Sequence, residues 1–128
     1  MSKKADKPLL TIRGLKTYFR SDEGVVRAVD GLDMEIGHGQ IVGMVGESGC
    51  GKSVTSQSIL QVVPHPGRIE GGEILLSSNG RTVDIAQLEP KGKEIRNIRG
   101  LEISIIFQEP MTAFSPVHTI GNQIIEAI

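Results

Sequence analysis

The chain has 128 residues, enough for one small domain with a moderate core. Its 14 Lys and Arg against 15 Asp and Glu give a net charge of -1, so the overall charge provides no basis for binding nucleic acid or an anionic membrane. A single cysteine excludes a disulfide framework and a cysteine-rich zinc site within these residues, whereas 16 glycines indicate segments with an unusual backbone.

The first third of the chain is predicted to be mainly β-structure. Residues 1–8 are a polar tail without the apolar core of an export signal. Apolar positions over 9–19 and 25–36, separated by a strong turn signal at 21–24, predict two to four antiparallel strands. Residues 40–45 show no polar alternation after Gln40, which predicts a strand covered on both faces.

The middle of the chain is predicted to contain a helix, a strand and a hairpin. Residues 53–63 contain neither Gly nor Pro and are followed by a proline-rich segment, which predicts a helix. Residues 73–76 follow two glycines and predict a short strand. The dipeptide Asn79-Gly80 favours a tight turn into a second strand at 81–83.

The last third begins with a charged segment, residues 89–99, which is predicted to be either a solvated helix or a loop. Residues 103–107 predict another buried strand, and 119–128 begin a helical pattern. The longest apolar runs are far shorter than the ~20 residues that cross a bilayer. We therefore expect membrane association only through a partner.

A phosphate-binding loop is the strongest motif. Residues 46–53 fit the pattern G-x-x-x-x-G-K-[ST] between a predicted buried strand and a predicted helix. Glycines let successive N–H groups face phosphate oxygens, and the helix N-terminus adds partial positive charge. The alternative, a glycine-rich turn that only begins a helix, does not account for both flanking elements. The residues expected to bind nucleotide are Gly46, Glu47, Ser48, Gly49, Cys50, Gly51, Lys52 and Ser53.

Within this loop, Lys52 is expected to reach the β and γ phosphates, and the Ser53 hydroxyl is expected to ligate Mg²⁺. Cys50 is interpreted either as a small residue at a variable position or as a thiol activated by the helix N-terminus. The predicted cofactors are ATP and Mg²⁺.

The order of these features resembles the ATP-binding subunit of an ABC transporter. A β-rich segment precedes the phosphate loop, and the sequence Phe107-Gln108-Glu109-Pro110 begins at the last residue of the predicted strand 103–107. The closeness of residues 45–53 and 107–112 narrows the resemblance to the oligopeptide and dipeptide importer branch. The resemblance covers nearly the whole chain from Leu10 and implies an α/β P-loop NTPase, with an antiparallel β subdomain and the first part of a RecA-like core over residues 9–128.

The resemblance also implies roles for two positions outside the loop. Gln108 resembles the glutamine that contacts Mg²⁺ and the attacking water, and its amide can both donate and accept hydrogen bonds. Lys52 and Gln108 are thus the implied catalytic residues, and Ser53 and Gln108 the implied metal ligands. Phe19, or Tyr18 in its place, resembles the aromatic residue on which adenine stacks, although an aromatic side chain in a strand is often part of the core.

The implied partners are transmembrane permease subunits and a second ATP-binding subunit in a head-to-tail dimer, with no readout of nucleic acid. The implied location is the cytoplasmic face of the cell membrane, and the implied transported solute is a peptide. The chain shows no LSGGQ-like signature, no Walker B Asp-Glu and no assignable switch histidine. We therefore expect an amino-terminal portion of such a subunit, with negligible ATP hydrolysis by itself.

Other classes remain open on the sequence alone. Residues 103–109 could be read as a Walker B strand, but Gln108 occupies the place expected for a carboxylate. A small P-loop kinase or GTPase is another alternative, but the chain has no Asn-Lys-x-Asp motif for reading guanine. A non-catalytic nucleotide-binding module differs from the ABC interpretation mainly in whether another chain supplies the catalytic half.

Overall fold

A four-stranded antiparallel sheet is the scaffold of this computed structural model, which describes residues 7–46 and 51–106. The strands lie in the order β2-β1-β3-β4. Their bounds are β1 Leu10–Ser21, β2 Gly24–Ile36, β3 Gly67–Ser78 and β4 Arg81–Asp84. The described helices are α1 Lys52–Ile59, a short 3₁₀ helix Ile85–Gln87, and α2 Lys93–Leu101. None of these helices has the length and apolar character needed to cross a membrane.

Both predicted hairpins are confirmed. β1 and β2 are two antiparallel strands, where residues 9–19 and 25–36 predicted two to four, and Ser21 pairs with Gly24 across the predicted turn. β3 and β4 are joined by Asn79 and Gly80, at φ 54° and 76°. Two successive left-handed residues are what a type I′ turn requires, which explains the Asn-Gly pair.

A bulge in β1 directs Leu15 into the core. Pairing with β3 passes from Arg13↔Glu73 to Lys16↔Gly71, so two residues of β1, Gly14 and Leu15, lie opposite one residue of β3. Gly14 takes the left-handed conformation that is usual in such bulges, at φ 57°, and its N–H donates to Asp33 Oδ1 at 2.7 Å. The extra residue reverses the alternation of the strand, and Leu15 is consequently fully buried.

The core lies on one face of the sheet. Ile95 and Ile98 are three residues apart on α2, so both face the sheet from one side of the helix. The inserted 3₁₀ helix contributes Ile85, which is fully buried. The buried apolar residues are Leu10, Ile12, Leu15, Val29, Leu60, Ile74, Leu76, Ile85, Ile95 and Ile98.

Two strand predictions are wrong for the described residues. Residues 40–46 form no described strand, with Ile41 completely exposed and Val45 94% exposed. Residues 103–106, the described part of the predicted strand 103–107, also form none, and Ile106 is 92% exposed. An apolar run becomes a buried strand only where neighbouring strands and covering helices accept it. The described residues provide no such neighbours for either run.

Other element boundaries differ from those predicted. α1 ends at Ile59, whereas the sequence predicted a helix to residue 63, because Gln61 turns left-handed at φ 54° and closes the helix. β3 begins at Gly67 and runs well beyond the predicted 73–76, because β1 is long enough to pair with it from Phe19 to Leu10. The charged segment 89–99 is helical from Lys93, as one of its two interpretations held. The predicted helix 119–128 lies outside the described residues.

The outer face of the sheet carries a bidentate ion pair. Arg20 donates from Nε and Nη2 to the two carboxylate oxygens of Glu70, at 2.7 and 2.9 Å. This hydrogen bonding from Arg20 lowers the pKa of Glu70 below its usual 4.5. Because ionised Glu70 is favoured in the folded state, its contribution to stability is present above the usual pKa and is lost as pH falls through the lowered value.

We therefore expect Glu70→Gln to lower the melting temperature by a few degrees at neutral pH, with the difference from wild type shrinking in acid. The effect is modest because Arg20 is 53% exposed. Melting curves followed by circular dichroism between pH 3 and 7 measure it. Glu73→Gln is the matched control, since Glu73 lies 3.8 Å from Arg13 in a more exposed pair. A Glu70→Gln difference that does not change with pH would contradict the prediction.

Candidate functional site

Gly51, at the amino end of α1, packs tightly against β2. It is the N-cap of the helix, in the left-handed conformation at φ 94° and ψ 6°. A Cβ at this position would lie 2.3 Å from the carbonyl oxygen of Ala28 and 3.6 Å from Val29 Cγ2. Only glycine fits this position without a backbone shift, so the Gly51 end of the phosphate loop lies directly against the sheet.

The first backbone N–H groups of α1 have no acceptor within the helix. The first helical bond joins the Thr55 N–H to the Gly51 carbonyl at 2.9 Å, and the Thr55 hydroxyl donates to the same oxygen at 2.8 Å. The N–H groups of Lys52, Ser53 and Val54 precede that bond and have no partner within the helix. Gly51 has no side chain that could cap them. These donors and the positive end of the helix dipole favour an anion here.

Lys52 bridges the two ends of the loop. Its Nζ donates to the carbonyl oxygen of Gly46, the first loop residue. Ser53 follows on the first turn of α1 and is exposed. The structure therefore places Gly46, Gly51, Lys52 and Ser53 around the amino end of α1. The remaining predicted loop residues, Glu47, Ser48, Gly49 and Cys50, lie outside the described residues.

Two open cavities adjoin Lys52. One, of about 380 Å³, is lined by Ala28, Asp30, Gly31, Gly51, Lys52 and Thr55 among others. The other, of about 440 Å³, includes Lys52, Ser53, Ile105 and Ile106. Gln108 lies outside the described residues, but Ile105 and Ile106, which immediately precede Phe107 and Gln108, share a cavity with Lys52 and Ser53.

The two aromatic candidates for adenine stacking differ in their surroundings. The Tyr18 hydroxyl donates to Asp30 Oδ1 at 2.6 Å, and this bond raises the pKa of Tyr18. The guanidinium groups of Arg20 and Arg27 lie 5.7 Å from the centroid of the same ring. The Tyr18 ring is thus already engaged by charged neighbours.

Phe19 lies on the opposite face. Thr17 faces α1, since its hydroxyl shares a buried 2.7 Å hydrogen bond with that of Ser58. By strand alternation, Phe19 occupies the same face as Thr17. Its ring covers Gly67, where a Cβ would lie 2.5 Å from Phe19 Cε2. The ring is only partly buried and shares a face of the sheet with the phosphate-loop helix.

The residues described contain no group of three or more His, Cys, Asp or Glu side chains placed to hold a metal ion. The exposed Ser53 hydroxyl is an oxygen donor of the kind that Mg²⁺ accepts. Because Mg²⁺ commonly uses few protein ligands together with substrate phosphates, a single serine beside the phosphate loop fits this metal. The donor type therefore agrees with the predicted role of Ser53.

Sequence reasoning missed three residues that shape α1. Ala28 contributes only a backbone carbonyl, which no side-chain pattern can signal. Gln61 and Arg99 bind carbonyl groups around the carboxyl end of the helix. Arg99 belongs to the charged segment interpreted as a solvated helix or loop, and nothing in that segment distinguishes it from its exposed neighbours.

Comparison with known proteins provides an independent result. Residues 29–126 match the ABC transporter family. A probable peptide ABC transporter ATP-binding protein of Sinorhizobium fredii is 46% identical over 121 residues, covering 94% of this chain and 34% of the relative. A putative peptide import ATP-binding protein of Brucella ovis is 45% identical over 123 residues, covering 94% of this chain and 36% of the relative.

The dipeptide transport ATP-binding protein DppD of Escherichia coli is 41% identical over 120 residues, which are 94% of this chain and 35% of the relative. The chain thus spans about a third of the length of the curated relatives it matches. The family match includes the second half of β2, the phosphate loop and both α-helices. Because this family match covers more than half of the residues, the chain belongs to the ABC transporter family and has the α/β P-loop fold of its ATP-binding domain.

Proposed function

We propose that the chain binds ATP with Mg²⁺ at the amino end of α1, as part of the ATP-hydrolysing subunit of a peptide importer. The observation that carries this proposal is the close packing of Gly51 against the Ala28 carbonyl. Gly51 has a left-handed backbone, and a residue with a side chain would clash with that carbonyl. This contact fixes Gly51 beside the first N–H groups of α1, which have no acceptor within the helix and can bind phosphate oxygens.

Each described loop residue has a distinct role in this proposal. The Lys52 ammonium exchanges the Gly46 carbonyl for the β and γ phosphates, since a charged acceptor makes the stronger bond. The Ser53 hydroxyl holds Mg²⁺, which neutralises charge on the phosphates when bound. Gln108 is proposed to reach the same metal from the segment that follows Ile105 and Ile106. The other loop residues supply further N–H groups.

The names of the relatives support the assignment to peptide import. These relatives are named as ATP-binding proteins of peptide ABC transport, peptide import and dipeptide transport. We propose that this chain acts in the same kind of system, with transmembrane permease subunits and a second ATP-binding subunit in a head-to-tail dimer. Its place would be the cytoplasmic face of the membrane, reached through those partners.

We expect Lys52→Ala to weaken binding of a fluorescent ATP analogue on the order of a hundredfold, or about 2.8 kcal/mol. Among the described residues, Lys52 is the only one whose side chain spans the loop. Removing its ammonium group therefore removes both the proposed phosphate contact and the hydrogen bond to Gly46. Fluorescence anisotropy of the purified chain with Mg²⁺ measures this. Lys93→Ala removes the same charge from an exposed position of α2 and should bind as wild type does. Equal binding by the wild type and Lys52→Ala would refute the proposed site.

The role of Ser53 has its own test. We expect Ser53→Ala to bind the analogue in Mg²⁺ about as weakly as the wild type does in EDTA, because the metal loses its protein ligand. Ser56→Ala is the matched control, since Ser56 is also exposed on α1 but directs its hydroxyl to the Lys52 carbonyl at 3.4 Å. If Mg²⁺ strengthens binding equally in wild type and Ser53→Ala, Ser53 is not a metal ligand.

Adenine stacking on Phe19 gives a further prediction. We expect Phe19→Ala to weaken ATP-analogue binding about tenfold, within the range of 1–3 kcal/mol typical for an aromatic platform under a base. Binding of inorganic tripolyphosphate should stay unchanged, because it has no base to stack. Tyr18→Ala removes an aromatic ring from the outer face and should leave both ligands unaffected. Parallel titrations of each variant with the ATP analogue and with tripolyphosphate test this prediction. An equal loss of affinity for both ligands in Phe19→Ala would argue against stacking.

A further inference from the structure

The carboxyl end of α1 is closed in an unusual way. The Val62 N–H donates to the Gln57 carbonyl at 2.9 Å and the Gln61 N–H to the Ser58 carbonyl at 3.0 Å, which are the two bonds of a Schellman motif. Glycine is the usual residue at the left-handed position, but here it is Gln61. Its amide Nε2 donates to the carbonyls of Ile85 and Leu88, at 2.5 and 2.7 Å. Gln61 therefore ties α1 to the 3₁₀ helix.

Arg99 completes this closure from α2. Its Nε donates to the Leu60 carbonyl at 2.8 Å, and its Nη2 to the Gln61 carbonyl at 3.0 Å. The same Nη2 also donates to the Pro90 carbonyl at 3.1 Å, which fixes the guanidinium against the loop before α2. A cation at this position satisfies carbonyls left free at the helix end and interacts favourably with the negative end of its dipole.

These end contacts matter because α1 is short and held mainly from one side. Its eight residues span about 12 Å. Thr17 holds Ser58 on the sheet side, and Gly51 rests on Ala28. The side bearing Ser53 and Ser56 lines the open cavity. A tilt of about 10° at the carboxyl end would displace the amino end by about 2 Å, comparable with the tolerance of a hydrogen bond to phosphate.

We propose that Arg99 is a positioning residue for the phosphate loop: by fixing the carboxyl end of α1, it holds the amino end in the orientation that binds nucleotide. This inference rests on the proposed ATP site. Arg99 itself does not touch the nucleotide. Its loss reduces the fraction of molecules in which α1 is correctly oriented, and the apparent affinity falls by that fraction.

The experiment compares ATP-analogue affinity among variants of the full 128-residue chain at a temperature where all are folded. We expect Arg99→Ala to bind about five- to tenfold more weakly, corresponding to a competent fraction of about 0.1 to 0.2. Arg99→Lys keeps the charge and one donor toward the helix end, so it should recover most of the loss.

Two controls separate positioning from charge and from stability. Arg96→Ala removes an arginine from the same helix, but within residues 7–46 and 51–106 the Arg96 side chain bonds only to the carbonyls of Gly92 and Lys91, both at 3.3 Å. Ile98→Val trims the buried face of α2 and lowers stability, but it keeps the Arg99 side chain that bonds to the Leu60 and Gln61 carbonyls. Both should bind the analogue as wild type does. Equal affinity of Arg99→Ala and wild type, or equal losses in Arg99→Ala and Ile98→Val, would overturn the inference.

A measurement without nucleotide keeps this inference separate from the proposed function. We expect amide hydrogen exchange at Thr55, whose N–H bonds to Gly51, to be about tenfold faster in Arg99→Ala than in wild type or Arg96→Ala. Unchanged exchange would overturn the positioning role even if ATP binds. Faster exchange in a chain that shows no Lys52-dependent binding would support the link across α1 and refute the nucleotide site alone.

Discussion

Gly51→Ala should weaken nucleotide binding on the order of a hundredfold, about 2.8 kcal/mol, although it adds only one methyl group. The new Cβ would lie 2.3 Å from the Ala28 carbonyl oxygen, a distance at which backbone must move. The left-handed φ of 94° adds strain for any residue with a side chain. The loop end is the part free to shift, so the N–H groups of α1 and Lys52 would lose their alignment toward phosphate. Titration with a fluorescent ATP analogue measures the loss.

The variant Gly39→Ala separates the effect of the steric clash from the effect of a left-handed backbone. Gly39 also has a positive φ, 72°, but a Cβ there would meet nothing within 4 Å. It should therefore lose a little stability and keep its nucleotide affinity. Because the clash at Gly51 is relieved by the loop, Gly51→Ala should melt close to Gly39→Ala while differing from it in binding. If both variants bind the nucleotide like wild type, the packing of Gly51 against β2 does not determine nucleotide affinity.

The parts of the structure that the sequence predicted are those determined by short-range chemistry. Asn79 and Gly80 specify a type I′ turn by themselves, since both positions need a left-handed backbone. The phosphate-loop pattern likewise contains its own explanation: Gly51 must be left-handed, and Lys52 must follow it at the helix start. Such signals span only a few residues, so no knowledge of the rest of the fold is required to interpret them.

The secondary-structure predictions are wrong where the local structure depends on residues distant in the chain. The apolar runs at 40–45 and 103–107 indicate a tendency to be buried, but strand formation also needs hydrogen-bonded neighbours. The predicted carboxyl end of α1, residue 63, is wrong because the Ile85 and Leu88 carbonyls hold Gln61 in a left-handed conformation. Arg99 reaches Leu60 across a separation of 39 residues. No local period or spacing records these contacts.

Gly72→Ala should be strongly destabilising, with the free energy of unfolding reduced by about 3 kcal/mol or more. Its Cβ would lie 2.5 Å from the Gly14 carbonyl oxygen and 2.6 Å from Leu15 Cα, and its φ is 93°. Both contacts are backbone atoms of the β1 bulge, so relief requires β1 and β3 to separate where Leu15 enters the core. Thermal melts followed by circular dichroism should show a decrease on the order of 10 °C.

Gly31→Ala isolates the contribution of the clash, because Gly31 has nearly the same φ, 88°, and open space around the added methyl group. It should lose only about 1–2 kcal/mol, the cost of the left-handed backbone. The difference between the two variants then measures how tightly β3 approaches the bulge. Equal losses would mean that β1 and β3 can separate at Gly72 without cost, and that the burial of Leu15 is enforced by the bulge alone and not by the close passage of β3.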